Sequence, residues 1–237
     1  MSTVVVAPGP LLPATLLDRP NRYLAHVLLD GVRTAAHVPN PGRMTEFITA
    51  GRPVQLVAVA GEQRRTAYDL VALEYLGRWV CIDNRLGAKL VRAALVAHAL
   101  PALEPYDQVQ AEVTSGHSRL DYRLSGAAGV TWVELKSCTL VEDGIGRFPD
   151  APSVRAARHV AELAARVAAG ERAVALFLVQ RPDAVVMTAN DATDPAFGQA
   201  LRAAVAAGVA TMAYTASWSG GLVLGGPVPV DLAPRQE

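Results

Sequence analysis

HSRLDYRLSGAAGVTWVELKSCTLVEDGIGRFPD, residues 117–150, decides how this chain is read. Two runs of strand character flank a small-residue turn. In the first, Leu120, Tyr122 and Leu124 alternate with Arg119, Asp121 and Arg123; in the second, Val133 and Leu135 alternate with Trp132, Glu134 and Lys136. Side chains alternate faces along a strand, so Glu134 and Lys136 share one face. Paired as a hairpin, the runs bring Asp121 beside them, and two carboxylates and an ammonium converge. Such a group suits Mg²⁺, which takes oxygen ligands, keeps several waters and needs only one or two carboxylates. A metal there polarises a phosphate and acidifies a bound water, and a neighbouring lysine orients that water or stabilises developing negative charge. The plainer alternative is a solvated strand with an ordinary ion pair, because E-x-K arises by chance in many strands.

The spacing, Asp121 and then Glu134-x-Lys136 about a dozen residues on, resembles the core of the restriction-endonuclease-like PD-(D/E)xK fold. Lysine use points the same way. Lysine occurs only at Lys89 and Lys136, and every other basic side chain is arginine. A lysine is a compact charge whose pKa shifts readily on burial, whereas arginine stays charged. Lys136 beside Glu134 is therefore a candidate for chemistry of its own.

The chain has 237 residues, 51% of them hydrophobic, enough for one large domain or two small ones. Formal net charge is zero, so any nucleic-acid binding needs a local basic patch rather than a global surplus. Cys81 and Cys138 have no metal-ligand spacing and read as buried free thiols, consistent with a reducing cytoplasm. The leading MSTVVVAPGPLLPATLL lacks a basic n-region and is broken by prolines, so it does not read as a signal peptide. No apolar run reaches the length of a membrane span.

Residues 1–13 read as a loose Pro/Gly-containing lead. Strands follow at 23–29 and 32–38, flanking the hairpin signal Asp30-Gly31, and again at 54–59, 66–74 and 79–81. HVPNPGR (37–43) cannot be regular structure, and residues 45–49 could form one helical turn. This pattern predicts an OB-like β-barrel over residues 1–82, with the short helix between its third and fourth strands. From residue 83 the pattern becomes α/β: a helix over 84–100, the hairpin above, a helix capped by Ser153, a buried strand at 173–179, a helix capped by Asp194 and a further buried strand at 209–214. The expected fold is α+β with two domains, the second (83–237) an α/β PD-(D/E)xK nuclease-like domain with a mixed sheet.

The blocks RPNRYLAHVLLDG (19–31), HVPNPGRMTEF (37–47), YDLVALEYLGRWVCIDNRL (68–86), SRLDY (118–122), VELKSCTLVEDG (133–144), FPDAP (148–152) and ERAVALFLVQRPDA (171–184) resemble, in this order, the sugar fermentation stimulation protein family (SfsA). The resemblance covers residues 18–230. It implies an OB-fold domain followed by a PD-(D/E)xK-like domain, DNA binding and a link to regulation of sugar-utilisation genes. It carries the nuclease-like core onto Asp121, Glu134 and Lys136 as catalytic candidates, with Asp121 and Glu134 as the candidate metal ligands, although nuclease activity is not the family's established activity. The chain departs from the family's pattern at Ala93 and at Val154, where the family carries Glu, and at Asp83-Asn84, where it carries Asn-Thr. The first two losses weaken any metal chemistry.

Candidate DNA contacts follow. Arg22 and Arg43 lie beside Pro/Asn-rich turns of the barrel and read as phosphate contacts, or as surface arginines near a loop. Tyr23 and Phe47 could stack bases or fill the core. Arg155, Arg158 and His159 fall with Arg166 on one face of the helix after Ser153 and could follow a DNA backbone; a solvated face with Glu162 interleaved is the alternative. His26 and His37 read as structural. The leading expectation is a cytoplasmic DNA-binding protein without membrane association, with homo-oligomer formation left open. The rivals are a nuclease dependent on weakly bound Mg²⁺ and an α/β enzyme acting on a small phosphorylated metabolite.

Overall fold

In the computed structural model the described residues are 3–61, 63–116 and 118–233. The chain opens with β1 (Val5–Val6) and enters a barrel through β2 (Leu11–Asn21), β3 (Leu24–Leu29), β4 (Val32–His37), β5 (Pro53–Ala58), β6 (Tyr68–Tyr75) and β7 (Arg78–Cys81). The hydrogen-bonded order is β4-β3-β2-β5-β6-β7, and pairing of β4 with β6 closes five of these strands into a barrel. The β3–β4 hairpin turns at Asp30 and Gly31, both at positive φ (50° and 79°), as a tight two-residue turn demands. Val27, Ala36, Phe47, Val54, Leu56 and Leu73 fill the interior.

The second domain runs α1 (Asn84–Val96), a 3₁₀ turn (Pro101–Leu103), β8 (Gln108–Ser115), β9 (Ser118–Gly126), β10 (Gly129–Cys138), β11 (Val141–Glu142), β12 (Ile145–Phe148), α2 (Val154–Ala168), β13 (Arg172–Val179), β14 (Val186–Ala189), α3 (Pro195–Ala206), β15 (Ala210–Trp218) and β16 (Leu222–Val228). Its seven-stranded mixed sheet has the order β1-β16-β15-β13-β10-β9-β8, with β10, β13 and β15 parallel. One face packs on α2 and α3; the other packs on α1 and on barrel residues Val57, Val71, Ala72 and Cys81, so one core spans the domain junction. Trp218 Nε1 donates to Gln55 Oε1 (2.6 Å), and Gln180 Nε2 to the Cys81 carbonyl (2.7 Å).

Four expectations are corrected. The lead is not loose: β1 forms an edge strand of the C-terminal sheet, and β2 already pairs from Leu11. Its prolines read as breakers, yet Pro13 sits in β2 opposite Gln55 of β5, ahead of Thr15, where pairing with β3 begins. Residues 45–47 form a turn, not a helix, with Phe47 N donating to the Met44 carbonyl at 3.0 Å. The helix over 84–100 stops at Val96, because His98 enters the left-handed region. A small sheet, β11-β12-β14, escaped notice because its strands are only two to four residues long. Both helix caps stand as expected: Ser153 Oγ accepts from Ala156 N and Asp194 Oδ1 from Phe197 N.

Candidate functional site

β9 and β10 pair from Gly126/Gly129 to Tyr122/Val133 and then part. β9 stays with β8 as far as Ser118, while β10 stays with β13 as far as Cys138. Asp121 fills the opening, and its Oδ2 accepts from the Leu135 amide at 2.7 Å. The period-two alternation holds: Glu134 and Lys136 share a face, and Lys136 Nζ donates to Glu134 Oε1 at 2.7 Å. Both are buried, at 2% and 8% exposure.

His159 sits elsewhere than on the expected arginine face. It is 3% exposed and points inward from α2, and its Nδ1 donates to the same Glu134 Oε1. Arg155 Nε donates to His159 Nε2 (3.3 Å), which leaves the ring proton on Nδ1. At that burial His159 cannot touch a DNA backbone directly; the chain Arg155–His159–Glu134–Lys136 places it with the carboxylates instead.

Charge in this cluster is unevenly balanced. Burial, and then the neighbouring Glu134 charge, push the Asp121 carboxyl up to about 6. Burial also pulls Glu134 upward, but donation from His159 and Lys136 outweighs it and holds the carboxyl below its usual value. Glu134 Oε1 has two donors, while Oε2 is buried with no hydrogen-bond partner. A buried carboxylate oxygen without a donor is expensive unless a cation meets it. Two hard oxygen donors, Asp121 and Glu134, therefore fit a divalent ion that completes its shell with water. Among the described residues no set of three or more His, Cys, Asp or Glu side chains is placed to hold one. Glu162, one turn beyond His159, is spent on Ser115 Oγ at 2.7 Å.

The arginine candidates are all exposed: Arg22 and Arg43 on the barrel, Arg155 and Arg158 on α2. Arg22, Arg43 and Arg158 have no hydrogen bond or ion pair among the described side chains. Arg22 lines an interdomain cleft of about 200 Å³ together with Asn84 at the start of α1 and Ser153, the N-cap of α2. The motifs HVPNPGR and FPDAP form its walls. Asn40 Oδ1 accepts from Gly42 N (2.8 Å), Asn40 Nδ2 donates to the Ile82 carbonyl (3.1 Å), and Asp150 Oδ2 accepts from Met44 N (3.3 Å). A Cβ at Gly42 would collide with the Asp150 carboxylate and crowd Asn40 Oδ1, so any larger residue there forces these side chains to move.

Sequence reading passed over Arg19. Its guanidinium donates to the carbonyls of Arg43 (2.6 Å), Arg22 (2.7 Å), Gly42 (2.9 Å) and Asn40 (3.0 Å), and so sets the backbone that carries both candidate arginines. The available signal was the loop itself: two closely spaced prolines leave carbonyls with no ladder partner, and these need a side-chain donor. Phe47 is fully buried, edge-on to Tyr75 at 5.0 Å, which removes it as a stacking platform, whereas Tyr23 is 55% exposed.

No helix among the described residues is long and apolar enough to cross a membrane. Two family models match the chain: "SfsA N-terminal OB domain" over residues 17–82 and "Sugar fermentation stimulation protein RE domain" over residues 85–221. A sugar fermentation stimulation protein homolog of Moorella thermoacetica is 41% identical over 213 residues, which cover 89% of this chain and 92% of that one. A homolog of Citrifermentans bemidjiense is also 41% identical, over 211 residues covering 88% and 91%. The solved structure of Pyrococcus furiosus SfsA, in complex with Ca²⁺, superposes with a TM-score of 0.90 at 31% identity, over 98% of this chain and 100% of that one. With a barrel and a mixed-sheet domain in the matching order, the chain belongs to the sugar fermentation stimulation protein family.

Proposed function

We propose that this protein binds DNA through the cleft between its domains, in a role linked to regulation of sugar utilisation. The carrying observation is that Arg22 of the barrel and Ser153, the N-cap of α2, line one cleft; Arg43 follows its lining residue Gly42, and Arg155 lies two residues after Ser153. Unpaired guanidinium groups suit phosphate, and the N-termini of α1 and α2 favour negative charge at the same place. Duplex affinity measured against salt tests this. Replacing Arg22 and Arg43 together by Ala should lower affinity and flatten the log–log slope by about 1.8, since each lost phosphate contact removes roughly 0.9. An unchanged slope rejects the cleft as the DNA site.

A second reading, a metal-dependent nuclease, is favoured by the partnerless Glu134 Oε2 and by the Ca²⁺ complex of the Pyrococcus relative. A bound divalent ion would supply phosphate polarisation and a more acidic water. Asp121 and Glu134 would hold it, His159 would keep Glu134 turned so that Oε2 faces the ion, and Lys136 would supply positive charge beside them. The partial neutralisation of Asp121 near pH 6 predicts weaker metal binding in mild acid. A gel shift with Mg²⁺ or EDTA, followed over time for strand cleavage, separates the two readings: retention without cleavage supports DNA binding alone.

A further inference from the structure

A cavity of about 720 Å³ lies on the barrel and is lined by neither Arg22 nor any of the carboxylate cluster. Its volume falls in the range of small-ligand sites. Tyr23 stands at its edge, and its ring is stacked on His37 with centroids 6.4 Å apart and planes 12° from parallel. His37 Nδ1 bonds the Tyr23 carbonyl (3.1 Å), which holds the imidazole ring, and Asn21 Oδ1 accepts from Tyr23 N (2.9 Å), which holds the Tyr23 backbone. The Tyr23 ring, placed against His37 yet more than half exposed, leaves flat surface unused. Leu24 and Ala35 provide apolar lining, and Arg64 and Arg65 bring positive charge. Arg64 is paired with Asp69, but Arg65 is exposed and has no hydrogen bond or ion pair among the described side chains. No Asp or Glu among the described residues lines the cavity.

We propose that this cavity is a second nucleic-acid site, one that takes an unpaired base from a single strand. The base stacks on Tyr23, and the phosphate next to it meets Arg65. The chemistry selects this occupant: a nucleobase has the flat apolar face that the Tyr23–His37 pair can extend, and it is tied to an anion within reach of a cationic rim. Stacked bases in a duplex have no free face, so the site discriminates against double strands. Aromatic platforms of this kind tolerate any base, because every base has a π-face. The site is independent of the interdomain cleft.

The test uses the full chain and a fluorescein-labelled dT12, read by anisotropy, with a duplex of equal length alongside. Tyr23→Ala should weaken dT12 binding by roughly five- to a hundredfold, the range for loss of one stacked base. Tyr23→Phe should retain most of the affinity, because the ring remains. Arg65→Ala should reduce the salt slope for dT12 by about 0.7, the value for one phosphate on a single strand. Duplex binding should not respond to Tyr23→Ala, whereas the Arg22/Arg43 double variant should weaken duplex binding and keep dT12, so the two sites fail separately. Tyr23 is exposed, and thermal melts of the variant check that the fold is intact. The proposal is overturned if wild type does not bind dT12, if Tyr23→Ala binds it as wild type does, or if a labelled oligoglutamate binds as tightly with the same dependence on Tyr23.

Discussion

His159 Nδ1 donates to Glu134 Oε1 across the interface between α2 and β10, where both side chains are only 3% exposed. The imidazole and Lys136 together saturate one oxygen of the carboxylate and leave the other without a donor. Removing the imidazole leaves Glu134 with one donor and opens a void in the interface. His159→Ala should lower stability by about 1–3 kcal/mol in urea denaturation. His159→Gln, which can still donate, should lose less. Equal stability of wild type and the Ala variant would mean that the contact is energetically idle.

Asp121 gives stability a pH dependence of its own. Its folded pKa, about 6, lies above the unfolded value near 3.8, so the folded state binds the extra proton between these two values. The contribution of this group is therefore greatest below about pH 4 and is lost as pH rises through 6. Asp121→Asn keeps an acceptor for the Leu135 amide and removes the charge. The variant should match wild type near pH 4 and exceed it at pH 7, by at most about 3 kcal/mol. Urea denaturation at both pH values reads the difference; a constant difference would show that Asp121 titrates normally.

A divalent ion should reverse that destabilisation, because it favours both carboxylates in their ionised form. Mg²⁺, Mn²⁺ or Ca²⁺ should raise the melting temperature of wild type with an affinity on the order of millimolar, as expected of a hard ion with few protein ligands. Glu134→Gln should abolish the rise while leaving salt-dependent DNA binding intact or improved, since a repulsive charge is gone. If both proteins melt identically across a Mn²⁺ titration, the cluster is a structural ion pair and the nuclease reading falls.

Gly42 and Asp150 couple the barrel loop to the second domain. Gly42→Ala should destabilise by about 1–3 kcal/mol through overpacking. Combined with Asp150→Ala, which removes the nearest clash and leaves Asn40 Oδ1 close, it should cost less than the sum of the two single changes. A double-mutant cycle by thermal melting measures this; strict additivity would mean that the two residues do not touch.

What the sequence determined by itself was local. The alternation in VTWVELK placed Glu134 and Lys136 on one face, Asp30-Gly31 set a hairpin, and Ser153 and Asp194 began their helices. Each of these is decided within a few residues, by strand period, turn conformation or a cap, and so can be read in a line of letters. The tertiary structure alone decided the rest. His159 shares a helical stripe with Ala156, Val160 and Leu163, but spacing could not reveal that a histidine is tolerated there, because the acceptor that makes its burial tolerable lies on a strand 25 residues earlier. Arg19 looked like any surface arginine until the loop at 40–43 folded its carbonyls around it. Val5 and Val6 joined the C-terminal sheet because an edge of β16 lay open to them, more than two hundred residues away. A buried polar side chain is stable only with its partner in place, and where that partner lies is a property of the whole packed chain.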